Sequence, residues 1–105
     1  MTATAIALLN DLARTTLTGC RLVITPGIAA LADMEKVIER VRSYTDFTPS
    51  NDPYGEHDFG ALEHDRHTVF WKFDYYDPDL LMHSPAPADP AVTCRVLTVM
   101  LAEEY

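Results

Sequence analysis

The densest run of groups able to do chemistry is Asn51-Asp52-Pro53-Tyr54-Gly55-Glu56-His57-Asp58-Phe59-Gly60. It places Asp52, Glu56, His57 and Asp58 close together in the chain. A histidine hydrogen-bonded to a carboxylate is how a general base is oriented, and oxygen-rich loops hold Mg²⁺ or Ca²⁺. The same residues also have plainer uses. Asp and Asn in loops bond their own backbone, glycine supplies positive φ, and a His–Asp pair across two strands fixes register. The spacing is not that of an EF-hand, and neither HExxH nor a glycine-rich phosphate loop occurs. A structural role therefore ranks first. Among functional roles, contact with a partner ranks above metal binding or catalysis, so no metal and no cofactor are expected.

Other chemistry is thinner. Ser43, Ser50 and Ser84 lie in no nucleophile elbow, and neither Cys20 nor Cys94 has a neighbouring histidine to activate it. Without CxxC or Cys/His ligand spacing, the two cysteines read as reduced, partly buried thiols. His64 and His67 flank Asp65-Arg66, a pair that fits an exposed turn better than a metal or pH-sensing site. The run Phe70-Trp71-Lys72-Phe73-Asp74-Tyr75-Tyr76 has the aromatic density of a base-stacking platform, but such platforms need a positive groove. By alternation, Val69, Trp71, Phe73 and Tyr75 make a core face. Phe70, Lys72, Asp74 and Tyr76 face the other way, and they are the aromatic and charged types that form interface hot spots.

These residues need elements to position them. Ile6, Leu9, Leu12, Ala13 and Leu17 recur at helical spacing, with Asn10, Asp11 and Arg14 on other faces, which predicts an amphipathic helix over residues 4–18. Thr2 or Thr4 would cap its start and Gly19 would end it. Residues 21–25 (RLVIT) read as a strand stopped by Pro26-Gly27. A second helix follows, with Asp33 as N-cap and Met34, Val37, Ile38, Val41 and Tyr44 as its apolar stripe. Residues 48–55 form a loop. Residues 57–63 and 68–76 then read as an antiparallel hairpin in which Leu62 faces Val69, Gly60 faces Trp71, Phe59 faces Lys72, Asp58 faces Phe73 and His57 faces Asp74.

After a proline-punctuated connection, Asp89-Pro90 is a helix-start signal, and Val92, Val96, Leu97, Met100 and Leu101 give the stripe of a last helix running nearly to Tyr105. The order is α-β-α-β-β-α. It predicts a small α+β domain spanning residues 1–105, with a mainly antiparallel three-stranded sheet packed by three helices.

At 105 residues, 48% apolar and 23% charged, the chain has the size and composition of one globular domain. The front segment has no basic n-region, and no stretch approaches a membrane span, so a cytoplasmic protein is expected. The net charge of −8 is confined to one region. Between Asp46 and Asp89 there are ten acidic residues against Arg66 and Lys72, and the rest of the chain is balanced. That field repels phosphate backbones and disfavours direct nucleic-acid binding.

The text of residues 51–60 (NDPYGEHDFG), with FWKFDYYD at residues 70–77, DPAVTCRVLTVMLAEEY at residues 89–105 and LNDLARTTLTG at residues 9–19, resembles a bacterial family known only as domain of unknown function 3768. The resemblance implies no established activity. It does imply an association with plasmids, phages and other mobile elements, whose small acidic proteins are often inhibitors of host defence. Such anti-CRISPR and anti-restriction proteins occupy Lys/Arg sites that otherwise meet phosphates.

The leading expectation is a non-enzymatic binding module. Asp52, Tyr54, Glu56, His57, Asp58, Lys72, Asp74 and Tyr76 would engage a basic protein surface or a nucleic-acid-binding protein complex. One alternative is a small metal-dependent or hydrolase-like enzyme using His57 and its carboxylate neighbours. The other is a structural module that dimerises through the exposed aromatic face.

Overall fold

The computed structural model describes residues 2–105. Helix α1 (Thr2–Thr16) leads into strand β1 (Arg21–Ile24), the single-turn helix α2 (Pro26–Ala29) and helix α3 (Met34–Arg42). A long loop then reaches the hairpin β2 (Phe59–His64) and β3 (His67–Tyr76), and the chain closes with β4 (Cys94–Leu101) between two 3₁₀ turns. The fold is α+β, and its sheet has four strands in the order β1-β4-β3-β2. β4 runs antiparallel to β3 and parallel to β1, so the sheet is mixed.

The fourth strand corrects the expected three-stranded sheet and the expected final helix. The Asp89-Pro90 start signal is real, since Asp89 Oδ1 accepts a hydrogen bond from Ala91 N at 2.9 Å, but it opens only the 3₁₀ turn Pro90–Val92. Beyond it, Arg95, Leu97, Val99 and Leu101 alternate onto the buried face, and β-branched Val96, Thr98 and Val99 favour extended backbone. The helical stripe and the strand alternation share Leu97 and Leu101. Pairing along β3, from Val69↔Leu101 to Tyr76↔Cys94, decides between them.

The hairpin has the expected register, with Phe59↔Lys72, Gly60↔Trp71 and Leu62↔Val69 paired. Its two-residue turn puts Asp65 (φ 47) and Arg66 (φ 70) in the left-handed region, the geometry that matches strand twist. One sheet face carries Val69, Trp71, Phe73, Leu97 and Val99, on which Ala13 of α1, Ile28 of α2 and Val37 and Val41 of α3 pack. The other face, with Phe59, Phe70, Lys72, Asp74, Tyr76, Val96 and Thr98, is half-exposed. Tyr105 folds back against Phe59 and Phe70 at its edge, with ring centroids 6.5 and 5.8 Å apart.

The C-terminal turn is tied to α2. Glu104 accepts from Thr25 Oγ1 at 2.7 Å, Gly27 N at 2.9 Å and Leu101 N at 2.8 Å, which holds its carboxyl below the usual range. Helix α1 ends two residues earlier than expected, because Leu17 (φ 56) takes the left-handed position ahead of Gly19 (φ 71).

Gly60 lies in strand pairing directly against Trp71, and a Cβ there would overlap the indole ring. Trp71 is fully buried and cannot retreat. Gly60→Ala is expected to lower unfolding free energy by about 2 kcal/mol in chemical denaturation, and an unchanged midpoint would mean that the indole has room to move.

Candidate functional site

The acidic loop is pinned to the body of the protein by His57. Its Nδ1 lies 2.9 and 3.0 Å from the two carboxylate oxygens of Asp11 in α1, and its Nε2 lies 3.6 Å from Asp52 Oδ2. The ring stacks on Phe47 with centroids 3.8 Å apart and planes 2° from parallel. Asp52 Oδ1 also accepts from the His57 backbone N–H at 3.3 Å. His57 itself has φ 55, an uncommon conformation for a residue with a Cβ, held here by contacts on both sides of the ring.

The expected His57–Asp74 pair does not form. Strand pairing reaches only as far as Phe73 N, which donates to Asp58 O at 2.8 Å, and the chain then turns His57 toward α1. Asp74 instead accepts from Lys72 Nζ at 2.5 Å on the open sheet face, and that hydrogen bond raises the Lys72 pKa. Both ring nitrogens of His57 face carboxylates, a geometry that suits an anchor.

Beneath His57 lies a polar layer that hydrophobic periodicity assigns to the wrong side of α1. Asn10 is fully buried and Arg14 is 3% exposed, whereas Leu8 and Leu12 are 66% and 60% exposed. Arg14 Nη1 donates to the carbonyls of Val41, Arg42 and Tyr44, each at 3.0 Å, and so satisfies the end of α3, where carbonyls lack helical partners. Its Nη2 donates to Asp11 at 3.0 Å, and the guanidinium carbon lies 4.9 Å from the Trp71 ring and 5.5 Å from that of Phe47. Burial lowers its pKa, with Asp11 opposing.

Asn10 spends its whole amide in the same layer. It donates to Glu56 O at 3.0 Å and to the Tyr75 hydroxyl at 2.8 Å, and it accepts from Arg95 Nε at 2.9 Å. Burial pushes the Tyr75 phenol up to about 12. The signal for this layer was present in the sequence: Asn10, Asp11 and Arg14 are spaced to share a helix face as coherent as the leucine face.

The remaining predicted residues surround this anchor. Tyr54 is 82% exposed at the loop tip. Burial, then repulsion from Asp58 and Asp52, raises the Glu56 pKa. Burial together with Asp52 and Asp74 raises that of Asp58, against the pull of its own backbone and of His57. Asp52, Glu56, Asp58 and Asp74 therefore form one repulsive field, in which Asp52 has His57 and Asp74 has Lys72 while Glu56 and Asp58 have no ion-pair partner among the described residues. Tyr76 ends the patch, pairing with His83 as an isolated bridge.

The carboxylates of this loop do not converge on one point. Among the described residues, the group of three whose ligand atoms come within 4.8 Å of one another is Asp33, His64 and Asp65 at the hairpin tip. There His64 Nε2 meets Asp33 Oδ2 at 2.7 Å, which lowers the Asp33 pKa. Asp33 precedes α3 without capping it, because its side chain is engaged by His64. Cys20 and Cys94 are free and half-buried, and burial raises the Cys20 pKa. Among the described residues, no helix is long and apolar enough to cross a membrane.

The fold and this loop define a small α+β protein with helices on one face of a mixed sheet and an anchored acidic loop beside the open face. The chain belongs to the family described as protein of unknown function (DUF3768), whose model matches residues 24–104. That match includes the acidic loop, the hairpin and β4, and it leaves out α1. No curated protein and no solved structure matches the chain.

Arg14 is the tie between α1, α3 and the loop. Arg14→Met keeps the apolar stem and removes every donor, leaving the buried Val41 carbonyl, the part-buried carbonyls of Arg42 and Tyr44, and Asp11 without their partner. A loss of about 3 kcal/mol in urea unfolding is expected, and a loss below about 1 kcal/mol would show that water replaces the guanidinium at little cost.

Proposed function

We propose that this chain is a non-enzymatic binding module whose acidic loop, with Lys72, Asp74 and Tyr76 on the adjoining open sheet face, engages a basic protein surface. The observation that carries the reading is the pair Glu56 and Asp58. Both carboxyls are raised by burial and by neighbouring acids, and neither has a cation of its own. A free-standing domain gains nothing from such a field, whereas a Lys/Arg partner would relieve it and gain steered association.

The loop is presented by a rigid anchor, so its carboxylates are held in place before any partner arrives. Half-exposed Phe59, Phe70 and Tyr76 supply apolar contact beside the charges. The partner class that fits is a protein complex whose basic residues ordinarily meet nucleic-acid phosphates, and inhibition of a host-defence complex of the CRISPR or restriction kind follows from occupying that site. Against the hydrolase-like reading, the His57 ring is held between Asp11 and Asp52 and stacks on Phe47, an arrangement that suits an anchor.

The sign of the electrostatics makes this testable. A carboxyl whose folded pKa is raised favours the folded state while protonated, and that contribution disappears as pH rises through the folded value, so ionised Glu56 and Asp58 weaken the free fold at neutral pH. Glu56→Gln and Asp58→Asn are expected to raise the melting temperature by about 2 °C each. The same changes should cut recovery of a basic partner in pull-downs from host cytosol at low salt, an interaction that high salt also abolishes. Partner capture indifferent to both changes and to salt would end the electrostatic reading.

A further inference from the structure

The hairpin tip carries a second group of donors, apart from the acidic loop. His64 ends β2 and Asp65 opens the two-residue turn, while Asp33 stands just ahead of α3, 31 residues earlier in the chain. Strand pairing sets His64 opposite His67, yet the donors that converge with it are carboxylates. His64 Nε2 lies 2.7 Å from Asp33 Oδ2 and 3.6 Å from Asp65 Oδ2, and the three ligand atoms all fall within 4.8 Å of one another.

An ion pair explains only the first of these contacts. An imidazole nitrogen carries at most one proton, and at 2.7 Å that proton serves Asp33. Asp65 Oδ2, at 3.6 Å, is beyond hydrogen-bond reach of the same nitrogen. Its side chain is 77% exposed and has water on offer, whereas that of His64 is only 11% exposed and is fixed in place. Two carboxylates thus crowd one nitrogen that can satisfy a single partner by hydrogen bonding. A metal ion can satisfy both.

We propose that Asp33, His64 and Asp65 bind one divalent transition-metal ion of the zinc class, with the remaining coordination positions left to water. The ion takes the place of the proton on Nε2 and receives one oxygen from each carboxylate, so two negative charges and a neutral imidazole balance its charge. The donor set chooses the metal. Mg²⁺ and Ca²⁺ are held through oxygen, whereas an imidazole with two carboxylates suits Zn²⁺ and its neighbours. Ligand atoms about 2.1 Å from a tetrahedral Zn²⁺ stand roughly 3.4 Å apart. The 2.7 Å contact therefore opens by several tenths of an ångström on binding, and the exposed Asp65 swings in to complete the set.

Lys36 also bears on Asp33 electrostatically, and as an exposed side chain it can move clear of an incoming cation. The bound ion would tie the start of α3 to the hairpin tip. None of the residues of the acidic loop takes part, so the two readings stand or fall separately.

Titration of the chelator-stripped full chain tests the proposal, with Zn²⁺ followed by calorimetry and Co²⁺ followed by imidazole NMR. One saturable Zn²⁺ site per chain is expected, with the Co²⁺ shift centred on His64 among the four histidines. Asp33→Asn, His64→Gln and Asp65→Asn should each weaken Zn²⁺ binding at least about tenfold, since even a group behind the ligands is worth that much. His67→Gln and His83→Gln should leave it unchanged. Because Asp65 is exposed, Asp65→Asn keeps the fold and isolates the loss of a ligand from a loss of structure.

A chain that takes up neither Zn²⁺ nor Co²⁺ would overturn the inference. Binding that Asp65→Asn leaves unchanged would overturn it too, by reducing the cluster to an ion pair. A Co²⁺ shift centred on His57, His67 or His83 would place the ion elsewhere and have the same consequence. Preference for Mg²⁺ or Ca²⁺ over Zn²⁺ would contradict the role of the imidazole and end the proposal equally.

Discussion

One guanidinium organises this protein. Arg14 is buried with its charge, an arrangement that is costly unless every donor finds an acceptor. Its Nη1 and Nη2 bond three carbonyls at the end of α3 and Asp11 on its own helix, and its flat face lies against Trp71 and Phe47. Nε has no hydrogen-bond acceptor, in a group whose surroundings are aromatic rings. Helices α1 and α3 are thereby held at one spacing. Asp11, oriented by Arg14, in turn receives His57 and brings in the acidic loop. Loop, helix pair and sheet core are coupled through this one side chain.

That coupling explains how a loop rich in proline, glycine and carboxylates keeps a fixed shape. Asn10 holds the Glu56 carbonyl, His57 bridges Asp11 and Asp52, and Phe47 covers the imidazole. The anchoring groups engage Asp11 and Asp52 but leave Glu56 and Asp58 facing like charges. Stability and binding are then opposed at those two positions, since what burdens the free domain is what a cationic partner would use. The polar layer shares the inner side of α1 with Ile6, Ala7 and Ala13, while Leu8 and Leu12 stay exposed.

Much of this was legible in the sequence, and the failures have physical causes. The hairpin register followed from an even-numbered connection between the two runs, and a one-residue slip would turn the core face outward; the structure adds that the buried Trp71 leaves no room for a Cβ at residue 60. The last third misled because Leu97 and Leu101 satisfy a helical and an extended period at once, and Val96 and Met100 complete the helical one. Only the β3 partner, distant in sequence, separates them. Helix α1 was legible in part. Ile6 and Ala13 of the expected stripe are buried and Leu17 packs on the core, but Leu12 is exposed, and although Asn10 and Arg14 share a face, nothing local reveals that α3-end carbonyls and a tyrosine hydroxyl await them. The acidic loop was visible as composition, but its anchor was not, since Asp11 lies 46 residues from His57.

The most direct test of the account is a carboxyl-carbon NMR titration of the free protein, following Glu56 and Asp58 individually and repeating the series with a short polylysine. Both groups are expected to titrate above ordinary carboxylates in the free protein and to fall back when the polycation is added. Ordinary values in the free protein, or values unmoved by the polycation, would contradict the claim that this loop holds uncompensated charge for a basic partner.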